Sequence, residues 1–279
     1  MITSSATRVT RTVRVAEIMG TTVSLHVVHE VAVGSTVQSE IQRQADAVFD
    51  DLRAVDRLFS TYRPDSEIMR IARGDLLLAD ADDRVREVSR ACARAEEVSG
   101  GLFSAHRAGW FDPTGYVKGW AVETAADTWL GALLNEPGVI AVGLNAGGDM
   151  QLATHSDADW IWRVGIADPA RPGSLVATLE VRDGAVATSG SAERGDHIID
   201  PRTGDPARGV ASATVVAAGL ADADVRATVA VIAGFDAFAV NACAGTRGLI
   251  VGHDGRVRRW MDTTEVSVVS PSTPPFTVR

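Results

Sequence analysis

Apolar positions along this chain follow two periods. Over 22–28, Val23, Leu25 and Val27 alternate with other residues, and that period of two predicts a strand. Over 37–58, Ile41, Ala45, Val48, Leu52, Val55 and Leu58 recur every three or four positions, which predicts an amphipathic helix. A second helix is predicted over 85–98, with Val88, Ala91 and Ala95 on its face, and Ser99-Gly100-Gly101 ends it. A third starts near Lys118 and continues through Trp129 to Leu133. The chain then turns mostly to strands, predicted over 139–144, 160–166, 175–181 and 210–216 between Gly, Pro and Asp turns. A helix over 222–233 follows, then strands over 248–252 and 256–261. The polar leader 1–15 and the Pro-, Ser- and Thr-rich tail 270–279 are expected to be loose ends. No repeat or linker interrupts the pattern, so one domain over 1–279 is expected. Its class is α+β with mixed or antiparallel sheets, not a regular βαβ series.

Charge narrows the possible partners. A net charge of -9 argues against nucleic-acid binding, which needs clustered Lys and Arg, but suits a pocket for a divalent metal. No stretch approaches the roughly 20 apolar residues of a membrane helix. The first fifteen residues lack the apolar run of a signal peptide, and a cytoplasmic location is expected. Cys92 and Cys243 lie far apart without metal-ligand spacing, so both read as buried small hydrophobes. Lysine occurs once, at Lys118, against 26 arginines. An ammonium is more compact than a guanidinium, so its single use suggests a position where that shape matters; chance survival of one lysine is the alternative.

Four segments could carry chemistry. In Phe111-Asp112-Pro113-Thr114-Gly115-Tyr116-Val117-Lys118-Gly119-Trp120, an Asp-Pro turn and a glycine precede a helix start, where backbone N–H groups and Lys118 would attract an anion. An ordinary capped loop is the alternative. In Ala223-Asp224-Val225-Arg226-Ala227-Thr228, Asp224 and Thr228 share a helical face and offer hard oxygen ligands to Mg²⁺; a helix cap is the plainer reading. Thr188-Ser189-Gly190, following a strand, could wrap a phosphate or ribose. Downstream of it His197 could move a proton or hold a polar group in place, a structural histidine being the plainer reading, and Asp200-Pro201-Arg202-Thr203-Gly204 reads equally as a β-turn. Asn145-Ala146-Gly147-Gly148-Asp149 lacks dinucleotide-fingerprint spacing and reads as a tight turn between strands.

The order of these segments resembles the ApbE family of flavin transferases. Met19-Gly20-Thr21 is similar to the family's first motif, Ser60-Thr61-Tyr62-Arg63-Pro64-Asp65-Ser66-Glu67-Ile68 to its second and Ser99-Gly100-Gly101-Leu102-Phe103 to its third. The segment from Asp112 to Trp120 resembles its lysine motif, and the remaining segments complete the series to about Gly252. The resemblance implies two interleaved α/β lobes with FAD in the cleft between them. It implies that Met19 and Tyr62 line the flavin, that Leu102, Phe103, Ser104, Asp112, Lys118, Thr188, Ser189 and Gly190 hold FAD, and that the Gly115 carbonyl, Asp224 and Thr228 hold Mg²⁺. His197 and Asp224 are the implied catalytic residues. The implied activity transfers FMN from FAD to a Thr or Ser of a partner flavoprotein, releasing AMP. FAD hydrolysis to FMN and AMP, or FAD binding without catalysis, are the alternatives. Two departures stand out: Ser104 occupies the position of the family's usual Asp, and only 106–110 separates the third motif region from the lysine motif, where many relatives carry an insert.

Overall fold

The computed structural model describes residues 8–106, 109–190, 198–236, 245–262 and 264–266. Among them, nine strands hydrogen-bond into one sheet in the order β1-β2-β3-β4-β7-β8-β9-β10-β11, and two more, β5 and β6, form a separate hairpin. The strands are β1 (Val9–Ile18), β2 (Thr21–Glu30), β3 (Val139–Ala146), β4 (Asp149–Thr154), β5 (Trp162–Ala167), β6 (Leu175–Val181), β7 (Gly184–Gly190), β8 (Ser212–Ala217), β9 (Arg247–Val251), β10 (Val257–Met261) and β11 (Thr264–Val266). Every pairing between them is antiparallel. The α+β class therefore holds, and the sheets are antiparallel rather than mixed.

Helices α1 (Ser35–Phe59), α2 (Glu67–Arg73), α3 (Asp83–Val98), α4 (Thr114–Ala125) and α5 (Leu220–Ala233) contribute to the core on one side of the large sheet. Along α1, Val37, Ile41, Ala45, Val48, Leu52, Val55 and Phe59 are buried at helical spacing, so burial of this stripe stabilises the helix where the sequence predicts it. The other sheet face is covered by the β5–β6 hairpin. Val164, Ile166 and Val181 of the hairpin meet Val28, Leu152, Val186, Val216 and Val251 in a second, smaller core. The alternating buried and exposed residues of β5 follow from this one-sided packing.

Several expectations need correction. The leader 1–15 is not loose throughout, because residues 9–15 belong to β1, an edge strand paired with β2 along its full length. Its Thr and Arg residues mask the pattern, since an edge strand needs little apolar surface. Arg14 points toward α1 and bonds Gln42 and Asp46 there. The third helix starts at Thr114, not near Lys118; after Ala125 it continues as one wider turn over Ala126–Leu130 and a tighter one over Gly131–Asn135. Thr188, Ser189 and Gly190 do not follow a strand but end β7. Helix α2 and strands β4, β7 and β11 are additional, and the tail 270–279 lies outside the described residues.

Two glycines set the distance between α4 and α5. A Cβ on Gly119 would lie 2.9 Å from the Leu220 carbonyl oxygen and 3.1 Å from Ala221 Cα, so only a bare backbone permits this approach. A Cβ on Gly219 would lie 2.4 Å from a Glu123 carboxylate oxygen. Glu123 of α4 instead accepts a bond from the Ala221 N–H at 2.8 Å and caps the first turn of α5 across the helix junction. Burial raises the pKa of this carboxyl, against the opposing pull of the backbone N–H groups it accepts from.

Candidate active site

Lys118 stands one residue before Gly119, and the close helix crossing carries it toward α5. Its ammonium contacts the Asp149 carboxylate and lies 3.3 Å from Asp224 Oδ2. Both acids are buried, with side chains 5% and 9% exposed, whereas that of Lys118 is 21% exposed. Asp149 sits where the sheet forks. Strand β4 pairs with β7 only from Met150↔Val186 to Leu152↔Gly184, so the β7 backbone beyond Val186 lacks a strand partner on that side. Asp149 Oδ1 fills the gap by accepting the Thr188 N–H at 2.9 Å. On α5, Thr228 follows Asp224 by four residues, and its hydroxyl lies 3.2 Å from Ser189 Oγ. One ammonium, two carboxylates and two hydroxyls therefore gather where α4 and α5 meet the sheet.

Of the residues expected at a site, Lys118, Asp224, Thr228 and Ser189 are brought into this network. Thr188 contributes its backbone N–H, but its hydroxyl turns to Thr214 Oγ1 at 2.9 Å. Gly190 closes β7 opposite Ser212, where a Cβ would lie 2.6 Å from the Ala211 carbonyl oxygen. Gly115 lies in the first turn of α4, and Asp112 precedes that helix with Oδ1 accepting the Thr114 N–H at 3.1 Å.

The loop after α3 packs against the same helix start. Gly100 and Gly101, both at positive φ, end α3 with N–H bonds to Glu97 and Glu96 carbonyls, a Schellman arrangement. Ser99 Oγ accepts the Phe103 N–H at 3.0 Å. Phe103 is buried edge-on to Tyr116, while Leu102 is half-buried and Ser104 Oγ accepts the His106 N–H at 3.1 Å. Asp112 N–H bonds the Ala105 carbonyl at 2.7 Å, which ties this loop to the lysine segment.

Two expected residues take part in none of the hydrogen bonds or ion pairs of the ammonium cluster. Tyr62 is 96% exposed, in the loop between α1 and α2. Met19 occupies the two-residue turn between β1 and β2 at φ 54, a left-handed conformation costly for a side chain without a local hydrogen bond. His197 lies outside the described residues, as does Cys243. Cys92 is a buried free thiol, and burial with Asp112 and Glu96 nearby pushes its pKa up to about 12. That agrees with a packing role.

Asp149 is the participant that sequence reasoning left in a turn. The turn itself is as expected, with Gly147 and Gly148 at positive φ between paired residues Ala146 and Asp149. Nothing in a Gly-Gly-Asp turn announces a carboxylate only 3% exposed. Its place in the ordered series of motifs was the available signal.

A model of the ApbE family matches residues 19–108 and 105–246. The chain belongs to the ApbE family. A FAD:protein FMN transferase of Rhodobacter capsulatus is 40% identical over 129 residues; this match spans 43% of the chain and 23% of that protein's length. Among solved structures, the ApbE protein of Thermotoga maritima superposes with a TM-score of 0.74 at 22% identity, over 90% of this chain and 97% of that one. The flavin transferase ApbE of Vibrio cholerae gives 0.68 at 21% identity, over 91% and 97%. At such identities the likeness speaks for an ApbE fold, here built around the junction that holds Lys118 and Asp224. No described helix is long and apolar enough to cross a membrane.

Proposed function

We propose that this ApbE-family chain is a Mg²⁺-dependent FAD:protein FMN transferase, moving FMN from FAD onto a Thr or Ser hydroxyl of a partner flavoprotein and releasing AMP. The observation that carries this reading is the only lysine of the chain, seated between two buried carboxylates with two hydroxyls close by. A diphosphate is the ligand that such an ammonium and an adjacent cation would share. The donor set fits Mg²⁺. Asp224 and Thr228 offer hard oxygens, and the two carboxylates outnumber the ammonium by one charge. Among the described residues no three acidic, His or Cys side chains form a metal cluster. Asp224, Thr228 and the Gly115 carbonyl would hold Mg²⁺ together with water and diphosphate oxygens, the kind of shell Mg²⁺ favours.

When bound, Mg²⁺ supplies neutralisation of the charge that develops on the diphosphate as AMP departs. Lys118 donates hydrogen bonds to a diphosphate oxygen and orients it. Asp112, Leu102, Phe103 and Ser104 hold the rest of FAD, with Met19 and Tyr62 against the flavin and Thr188, Ser189 and Gly190 lining the phosphate side. The acceptor hydroxyl oxygen forms a new bond to the phosphorus of the FMN half. The bond from that phosphorus to the bridging oxygen breaks, the bridging oxygen leaves with AMP, and His197 takes the hydroxyl proton. The test is incubation of the chain with FAD, Mg²⁺ and a Thr-bearing acceptor. Equimolar AMP and flavin-labelled acceptor are expected, both lost with EDTA. An acceptor that stays unlabelled at every metal concentration overturns the reading.

The accessibility of the region favours one second reading. Tyr62 is almost fully exposed, so the side proposed to take the flavin stands open to water. If water reaches the phosphorus in place of the hydroxyl, the chain is an FAD pyrophosphatase. Chromatography then finds free FMN and AMP without any acceptor.

A further inference from the structure

The ammonium of Lys118 is shared unequally between its two acids, and the difference points to a role for Asp149. One Asp149 oxygen is fixed by the Thr188 N–H at the fork of the sheet, and the other contacts the ammonium. Asp224 stands farther off, with Oδ2 3.3 Å from the ammonium, and takes no other hydrogen bond or ion pair from the described residues. A lysine beside a single carboxylate would settle on it and compete with any cation. A second, backbone-anchored carboxylate holds the ammonium to one side. We propose that Asp149 is a positioning residue: it seats the Lys118 ammonium beside Asp224 rather than on it, so that Asp224 keeps an oxygen for a cation while the ammonium faces the same ligand.

The seat is a property of this chain alone, whereas its consequence for Mg²⁺ rests on the proposed function. Asp149→Asn is the informative change. An amide still accepts the Thr188 N–H and conserves volume, but it removes the charge that holds the ammonium. The lysine should then move onto Asp224, and the local charge should rise by one.

Lysine labelled with ¹⁵N at Nζ tests the seat directly, because one lysine yields one resonance. In the wild-type chain the Nζ signal should be sharp and its hydrogens protected from water. Asp149→Asn should speed their exchange by about tenfold or more, whereas Asp224→Asn should change it by less than about threefold, reflecting the closer charge-assisted bond. Unchanged exchange in Asp149→Asn, or a larger effect from Asp224→Asn, overturns the proposal. If Asp149→Asn fails to fold, Asp149→Ser serves for the same comparison.

Mg²⁺ titration of the same samples separates the two ideas. The Mg²⁺ Kd of Asp149→Asn should rise by about tenfold, as loss of ligand-side charge implies, and FAD binding in EDTA should weaken as the ammonium leaves its seat. A seat that behaves as expected in a wild-type chain that Mg²⁺ does not perturb upholds the positioning role and removes the metal from the proposed function.

Discussion

The helix-covered face of the large sheet buries Lys118, Asp149 and Asp224 where α4 and α5 meet it, whereas the hairpin-covered face pairs Thr188 with Thr214 as neutral hydroxyls beneath a layer of Val, Ile, Leu and Trp. Both faces lie on the same strands, so β-propensity alone does not distinguish them. Burying charge is costly even when the charges are paired, and apolar residues of similar size often stabilise a fold at least as well. The trio on the helix side is thus weak evidence for stability and good evidence for chemistry. The hairpin side resembles an ordinary sandwich core, where Trp160 and Trp162 meet edge to face with ring centres 5.9 Å apart.

If that contrast is sound, changes on the two faces should affect different measurements. The largest effect is expected from Asp224→Ala, which should lower the rate of AMP release on the order of a thousandfold while leaving the melting temperature within a few degrees. A variant with near-normal turnover would remove Asp224 from the chemistry. Trp162→Ala should do the reverse, destabilising the fold by about 3–5 kcal/mol in urea titration while FAD affinity per folded molecule stays the same. A large loss of affinity there would dissolve the division between faces.

Gly119→Ala should couple the two measurements. Its methyl would press on the Leu220 carbonyl, costing about 1–3 kcal/mol, and would separate Lys118 from Asp224, lowering turnover beyond what the lost stability explains. Glu123 supplies a pH signature in the same junction. Its pKa is raised above the ordinary 4.5 by burial, so the folded state binds more protons than the unfolded one over the window above 4.5. That stability contribution is complete below the unfolded value and is lost as pH rises through the folded one. Melting curves should show a decline over this window that Glu123→Gln lacks; identical pH profiles would refute it. The smallest effect is expected from Arg163→Ala on the hairpin surface. The Arg163–Glu180 pair is 76% and 64% exposed, and its loss should cost no more than about 1 kcal/mol by chemical denaturation.

These differences also show how far residues alone could lead. Helix α1 follows its stripe from Val37 to Phe59 to within two residues of expectation, because local periodicity and core burial agree there. The same reasoning left β1 as a leader, since the pairing that makes a Thr- and Arg-rich stretch extended is supplied by β2 and is not local. Lys118, Asp224 and Thr228 were visible as a rare residue and a shared helical face, and the motif order tied them to the ApbE family.

What the amino-acid order determined by itself was the class of fold, the family and the residue types present in the candidate site. Only the tertiary structure decided which of them meet. Gly119 lets two helices approach, the sheet forks where β4 begins, and Asp149 turns inward from a Gly-Gly hairpin to meet the lysine. Such encounters depend on distances between segments 31 and 39 residues apart along the chain, which no local pattern of hydrophobic and polar positions encodes.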